Sequence, residues 1–202
     1  MYIIDLSYFK GNINVPNVEE LNSGNAVKLE TYVDKYGRLV MQYLLGYELF
    51  LDFDSYIENG ELKPTAPQIY KDLVDGNGSD FLGLRYTRGL HKHSAIANFV
   101  YYFWLKENST VQSGVGEISL NSKGAVSLSS INRQVSVWNE FINEYQGEVI
   151  NSNKRIYNVD GLIFTDYFGG ENSGFETIVN FVSKTIPNAR IKMFNGYKNS
   201  LL

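Results

Sequence analysis

Hydrophobic residues recur three or four positions apart in several stretches of this chain, which is the spacing of an amphipathic helix. The clearest stretch predicts a helix from Ala26 to Leu45, with Asn25 as its N-cap and Gly46 as its C-cap. A second short helix, from Tyr47 to Phe53, should dock on the first. The same spacing predicts three further helices, at 67–74, at 131–145 (with Ser129 or Ser130 as cap and Gly147 as stop) and at 174–185.

One stretch in the middle of the chain, Leu90 to Leu105, predicts a central helix with more than one apolar face. Its first stripe consists of Ile96, Phe99, Val100 and Phe103. Four more large side chains point elsewhere on the helix, namely Tyr101, Tyr102, Trp104 and Leu105. Either the rest of this chain or another copy of it must cover this second face. The apolar run from Ala95 to Leu105 is too short for a membrane span, which needs roughly 20 residues.

The main strand pattern lies in a Ser- and Gly-rich region between residues 109 and 130. Two alternating runs, 115–120 and 125–128, are joined by a polar tetrapeptide and predict a β-hairpin flap. The predicted fold class is therefore mainly α: a helical bundle core with a β-hairpin flap and extended terminal arms. Three divisions follow: an N-terminal arm (1–24), a helical core containing the flap (25–147), and a C-terminal extension with one further helix and a tail (148–202). The arm either packs on its own domain or reaches a neighbour.

Composition narrows the classes of function. A formal net charge of −4 and a pI of about 5.3 do not support nucleic-acid binding through a broad basic face. The chain has no cysteine, which excludes disulfides and thiolate metal sites. Its 15 tyrosines suit surfaces that are partly buried and partly wet, such as protein interfaces. The N-terminus lacks the basic and apolar segments of a secretory signal, so we expect a protein of the cytoplasm or of a particle assembled there.

Candidate metal ligands are few in the sequence. His91 and His93 are the only histidines, and residues two apart on a helix cannot bind one ion, although in an extended segment they could. Asp75, Asn77 and Ser79 imitate the alternating oxygen ligands of a calcium loop, but the glycine and the closing glutamate of that motif are missing. A solvated first helical turn and a tight polar turn are the simpler interpretations.

The sequence contains no nucleophile motif and no phosphate-loop motif. Acid–base chemistry would rest on carboxylates alone, and a glycosidase-like pair among the 22 acidic residues stays open. Arg85 and Arg88 flank Tyr86 just before the central helix, where they could bind phosphate or an acidic patch on a partner. Surface arginines with a structural role are the commoner explanation.

Several short segments between residues 26 and 146 carry a family resemblance through their order. They are Gln42–Leu49 (QYLLGYEL), Tyr70–Gly76, Phe81–Arg85, the Gly114–Gly116 flap and the helix around Arg133–Asn139. The first resembles the N-terminal helix of head–tail connector proteins, also called adaptor or ring proteins, of tailed bacteriophages. The whole succession is similar to structural proteins of crAss-like and other Bacteroidetes phages. The long segment after residue 147 departs from the small adaptors.

The resemblance implies an adaptor-like subunit of a homo-oligomeric ring, dodecameric in that family, at the portal–tail junction of the virion. Such a ring extends the DNA channel, and DNA passes through it without specific binding. The implied partners are further copies of the chain, the portal protein and neighbouring tail or ring proteins. No enzymatic activity, cofactor, metal or membrane is implied. A lower tail ring or a stopper is the nearest alternative.

Contacts between subunits should come from the uncovered aromatic face and from the basic segment before the central helix. The predicted interface residues are Arg85, Tyr86, Arg88, Tyr101, Tyr102 and Trp104. On this hypothesis Trp104→Glu leaves the helices formed and abolishes ring assembly, whereas loss of the fold would place Trp104 in the monomer core. Two other functions stay open: a carboxylate-dependent hydrolase of cell-wall or capsule glycans, and a monomeric binding module that takes calcium in the loop 75–80.

Overall fold

The computed structural model describes residues 2–11, 13–20, 23–88, 90–108, 110–113, 116–119, 130–147, 157–159, 162–164 and 176–196. Within these residues the chain is mainly helical, as the sequence predicts. The helices are α1 (Gly24–Leu45), α2 (Tyr47–Ser55), α3 (Gln68–Asp75), α4 (Ala95–Asn108), α5 (Ser130–Gln146) and α6 (Ile178–Thr185). Antiparallel hairpins accompany them: β1 (Ile57–Glu58) with β2 (Glu61–Leu62), β3 (Arg85–Arg88) with β4 (His91–Ser94), β5 (Thr110–Ser113) with β6 (Gly116–Ser119), and β7 (Tyr157–Val159) with β8 (Leu162–Phe164).

The central helix α4 lies between α1 and α5. Its buried residues run without a break from Ala95 to Tyr102 and include Trp104. The rest of the chain therefore provides the second cover that an all-round apolar helix requires. No helix in the described part of the chain is long and apolar enough to cross a membrane.

The first few residues of the predicted central helix form a strand instead. The helix begins at Ala95 rather than at Leu90, and the polar residues between them form β4. Ser94 marks the change, because its Oγ accepts a hydrogen bond from the Ile96 N–H at 3.1 Å and donates one to the Leu84 carbonyl at 2.7 Å. Residues 91–94 form a strand because they pair with β3. Helical spacing alone does not detect such pairing.

The start of α1 is set by Ser23 rather than by the predicted cap. The Ser23 Oγ accepts a hydrogen bond from the Ala26 N–H at 3.0 Å. Asn25 donates from its side chain to the Pro16 carbonyl at 3.1 Å, so it anchors the preceding segment. At the other end Gly46 has a φ of +80°, and its N–H bonds back into α1, as expected of a glycine that ends a helix.

Two hairpins differ from the sequence-based prediction. In the region of the predicted flap, β5 pairs with β6, so residues 116–119, predicted within the first strand of the flap, are the second strand of a hairpin with 110–113. The predicted turn 121–124 lies outside the described residues. The predicted strand 125–128 lies outside the described residues. The polar region 54–66, in which Asn59-Gly60 and Pro64 predict a loop, contains β1 and β2. Their turn residues Asn59-Gly60 both have positive φ, +53° and +84°, as a two-residue hairpin turn of type I′ requires.

The N-terminal segment packs on its own domain and is not an extended arm. Its side chains Tyr2, Phe9 and Val15 are buried. The Tyr2 ring lies against Gly37 of α1, where an added Cβ would come within 3.0 Å of the ring. The guanidinium of Arg38 covers the same ring at 4.7 Å from its centroid. Of the two alternatives for the predicted arm, packing on its own domain is therefore the one that the structure shows.

The described part of the C-terminal extension also joins the core. α6 starts four residues later than the predicted residue 174, because the Thr177 side chain caps it. Phe181 of α6 stacks on Phe81 with ring centroids 4.1 Å apart. After α6 the backbone N–H of Arg190 donates to the last carbonyl of α1 at 3.1 Å. These contacts attach residues 176–196 to the helices of the core.

Gly83 should tolerate no side chain. Its φ is +93°, and an added Cβ would lie 2.5 Å from the Gly76 nitrogen and 2.7 Å from the Val74 carbonyl oxygen. We expect Gly83→Ala to lower the free energy of unfolding by more than about 2 kcal/mol, since backbone strain of about 1 kcal/mol adds to a clash with backbone atoms. Gly78→Ala is the matched control, with a φ of +76° and no described atom within 4 Å. Urea denaturation measures both losses, and equal losses would contradict this expectation.

Candidate functional site

Glu144, near the end of α5, has a carboxyl group that is enclosed by the protein. Its Oε1 accepts a long hydrogen bond from the Tyr86 hydroxyl at 3.4 Å, and the Asn98 side chain bonds to the same carboxyl group. Its Oε2 is closed to solvent, and no described residue gives it a hydrogen-bond partner. Burial, reinforced by the like charge of Glu140, raises the pKa of Glu144 to about 8. At neutral pH the group is therefore mainly a neutral acid.

The helical period of α5 explains why Glu144 faces inward. Val137, Phe141 and Glu144 lie at i, i+4 and i+7, so they share one face. The first two are fully buried. The helical spacing predicts an apolar stripe through Ile131, Val135, Trp138, Phe141, Ile142 and Tyr145, with Glu144 on the polar side. Phe141, Ile142 and Tyr145 are buried as predicted, but Ile131 is 63% exposed and Glu144 faces inward. In the sequence, apolar Val137 was the residue that indicated the observed orientation of α5.

Glu140 lies one turn before Glu144 on α5. Burial raises its pKa, and the positive charge of Arg133 opposes that effect. Two ionised carboxylates at this spacing repel each other, which favours the protonated form of Glu144. A glycosidase needs two carboxyl groups that face a substrate between them. The inner oxygen of Glu144 is closed to solvent, so this pair does not support the hydrolase alternative.

Tyr86 connects the hairpin β3–β4 to this carboxyl group. It is the only member of the predicted interface set for which a described contact with Glu144 is present. His93 lies opposite Tyr86 in the strand register, and the two rings stack with centroids 5.3 Å apart and planes 13° from parallel. Tyr86 therefore holds the base of the hairpin against α5, and its half-buried position reflects that structural contact.

The two histidines lie on a strand and not on a helix, which corrects the predicted geometry. Residues two apart on a strand point to the same side, so the extended alternative applies. His91 lies beside Gly11, where an added Cβ would come within 3.4 Å of the imidazole Nδ1. His93 stacks on Tyr86. Across the described segments, no group of three or more His, Asp or Glu side chains is placed to hold a metal ion.

The loop 75–80 closes on itself through side-chain hydrogen bonds. The side-chain oxygen Oδ1 of Asn77 accepts from the backbone N–H of Ser79 at 3.1 Å and of Phe81 at 3.0 Å. The Asp80 carboxylate accepts from the side chains of Asn77 and Ser79. Asp75 points away into an ion pair with Arg85. The oxygens that a calcium ion would need are thus committed to the turn, which favours the structural interpretation.

Arg85 joins three parts of the fold. It donates to Asp75 at the end of α3, to Glu61 of β2 and to the Ile3 carbonyl, each at 2.7 Å. These donors already have acceptors within the chain, which favours the structural alternative for Arg85. The side chain of Arg88 lies outside the described residues.

The three aromatic residues of the predicted interface are buried in this chain. Tyr101 donates from its hydroxyl to the Asn14 carbonyl at 3.0 Å. Trp104 meets the Tyr32 ring edge-on, with centroids 5.4 Å apart. Tyr102 is covered in the same core. The second apolar face of α4 is therefore covered by the chain itself, which is the first of the two alternatives that the sequence left open.

Other large apolar side chains are exposed, and sequence reasoning did not identify them as a surface. Leu90, in the turn between β3 and β4, is 96% exposed. Tyr47 and Leu51 are 67% and 49% exposed and lie one turn apart on the same side of α2. The candidate contact surfaces are therefore the hairpin turn and the outer side of α2. Comparison of the chain with protein-family models, with curated proteins and with solved structures found no match.

Proposed function

We propose that this chain is a structural subunit of a ring at the portal–tail junction of a tailed phage, a head–tail connector. The observation that carries the proposal is the order of the elements. Helices α1 to α4 follow one another as the resemblance requires, and the hairpin β5–β6 stands between α4 and α5. The motif QYLLGYEL spans the junction of α1 and α2, where Gly46 separates the two helices.

The exposed apolar side chains support an assembly role. Closed rings need heterologous contacts, in which two different patches of one subunit meet their counterparts on the neighbours. Leu90 belongs to a hairpin that packs beside the N-terminal segment, whereas Tyr47 and Leu51 lie on a helix beside Arg190 of the C-terminal segment. The chain therefore presents two patches on different elements.

In this role the ring would extend the DNA channel below the portal protein and provide a platform for neighbouring tail proteins. The formal net charge of −4 suits a channel wall, because a protein binds DNA without sequence preference mainly by neutralising phosphates with lysine and arginine. A lower tail ring or a stopper is the same kind of structural role at another level of the tail.

Mass photometry of the purified chain, alone and mixed with the portal protein of the same phage, tests the proposal. We expect either free rings or a multi-copy complex on the portal. A portal protein from an unrelated phage is the control and should recruit no subunits. A chain that stays monomeric with its own portal and with the neighbouring tail proteins would contradict the connector role.

A further inference from the structure

Three Asn-Gly pairs occur in the chain, at 59–60, 77–78 and 195–196. Asparagine is a chemically labile residue, and a glycine after it has no Cβ to obstruct its own backbone nitrogen. By sequence the three pairs are equivalent. We propose that the folded chain is deamidated at Asn195, whereas the fold protects Asn77 and slows the same reaction at Asn59. The reaction needs no partner, so this inference goes beyond the connector role and does not depend on it.

The reaction is an intramolecular displacement at the side chain of Asn195. The backbone nitrogen of Gly196 loses its proton and attacks Cγ of Asn195 as the nucleophile. The N–Cγ bond forms, the Cγ–Nδ2 bond breaks, and the amide nitrogen takes up a proton and leaves as ammonia. Water then opens the resulting succinimide ring at either carbonyl, which gives aspartate or isoaspartate. In sum, a water molecule is consumed and an ammonia molecule is released, with no oxidant, reductant or cofactor.

The first requirement of ring closure is a side chain that can turn toward the next backbone nitrogen. The Asn77 side chain does not meet it. Its Oδ1 accepts from the backbone N–H groups of Ser79 at 3.1 Å and Phe81 at 3.0 Å, and its Nδ2 donates to Asp80 at 2.8 Å. These bonds must break before Cγ can approach the nitrogen of Gly78, so the loop 75–80 protects its asparagine.

The second requirement is that Cβ and the attacking nitrogen lie on the same side of the Cα–C bond. Asn59 has a φ of +53°, and the left-handed conformation places its Cβ and the Gly60 nitrogen on nearly opposite sides of that bond. Rotation would open the turn between β1 and β2, which is also held by the bond from the Ile3 N–H to the Gly60 carbonyl at 2.8 Å. The exposed Asn59 side chain therefore reacts slowly.

Asn195 meets both requirements better than the other two asparagines. It lies after α6, outside the helices and strands, its side chain is exposed, and its φ is negative. Among the described residues, none forms a hydrogen bond with the Asn195 side chain or with the Gly196 N–H. The Trp138 Nε1 donates to the Asn195 carbonyl at 2.8 Å. That bond keeps the residue against α5 and leaves both reacting atoms, Cγ and the Gly196 nitrogen, unbound.

Peptide mass spectrometry after incubation of the folded chain at mildly alkaline pH tests this assignment, because the backbone N–H loses its proton more readily there. Deamidation replaces an amide NH2 by OH, and the mass increase is followed separately in the peptides that contain each Asn-Gly pair. We expect conversion at Asn195 to be several-fold faster than at Asn59, and conversion at Asn77 to be the slowest. In urea the three rates should converge, since the unfolded chain restrains none of the three side chains.

Two variants separate the causes. Gly196→Ala places a Cβ beside the attacking nitrogen and should slow conversion at Asn195 several-fold, in the folded and in the unfolded chain, with Asn59 as the internal control. Asp80→Ala removes the acceptor of the Asn77 side-chain amide and should speed conversion at Asn77 alone.

The rates in the folded chain decide the inference. Faster conversion at Asn59 or Asn77 than at Asn195 would overturn the assignment, and so would equal rates at all three. An unchanged rate at Asn195 in Gly196→Ala would overturn attack by the Gly196 nitrogen, and an unchanged rate at Asn77 in Asp80→Ala would overturn protection by that hydrogen bond. Ring assembly is measured separately by mass photometry, so failure of the connector role leaves this test intact.

Discussion

Trp104→Glu should lower the free energy of unfolding by about 3–5 kcal/mol, a large part of the stability of an ordinary domain. Trp104 is buried where α4 meets α1, and its ring packs edge-on against Tyr32. The substitution removes that packing and places a carboxylate in the space. Lys28, whose Nζ is 5.7 Å from the Trp104 ring centroid, offsets part of the charge penalty. Urea denaturation followed by far-UV circular dichroism measures the loss.

Tyr47→Glu is the matched control for this prediction. Tyr47 is an exposed aromatic residue at the start of α2, so the same kind of substitution should change the free energy of unfolding by less than about 0.5 kcal/mol. A Trp104→Glu variant that folds normally and fails only to assemble would return Trp104 to the interface and contradict its place in the core.

Sequence reasoning located the helices well because their signals are local. Helical spacing and the glycine after it marked α1 and its end at Gly46. α2 starts at Tyr47 as predicted, and Pro67 directly precedes α3, so these two helix starts also follow from local signals. Helix starts were less accurate, since Ser23 and Asn25 are both good caps and only contacts with the preceding segment decide between them.

Features that depend on contacts between different elements could not be predicted in the same way. The residues after Leu90 form a strand because β3 pairs with them. The aromatic second face of α4 was recognised, but its cover by α1 and α5 depends on how whole helices pack. Trp104, predicted from its helical position to face outward, is buried against α1 for this reason. Leu90 was predicted at the start of a helix but lies exposed in the turn between β3 and β4. A single apolar residue in a sequence does not indicate an exposed turn.

Glu144→Gln should stabilise the folded chain increasingly as pH rises. The pKa of Glu144 is about 8 in the folded chain and near its ordinary value of 4.5 when unfolded. Between these values the folded chain holds a proton that the unfolded chain has released. The free energy of unfolding therefore falls as pH rises, by up to about 1.4 kcal/mol per pH unit, and the loss is complete above the folded pKa. Glutamine cannot ionise, and its amide oxygen can still accept from Tyr86.

Urea denaturation of both proteins between about pH 5 and pH 9 measures this difference, which should grow with pH and level off above the folded pKa. Glu140→Gln is the informative comparison, because it removes the like charge that helps to raise the pKa of Glu144. In that variant the pH dependence should persist but reach its limit at a lower pH. Parallel curves for the unmodified chain and Glu144→Gln would mean that the Glu144 carboxyl ionises as readily in the folded chain as in water. Burial is the main cause of the raised pKa of Glu144, and no cation or solvent contacts its Oε2 in the described structure. Parallel curves would therefore require that a cation or solvent reaches this oxygen.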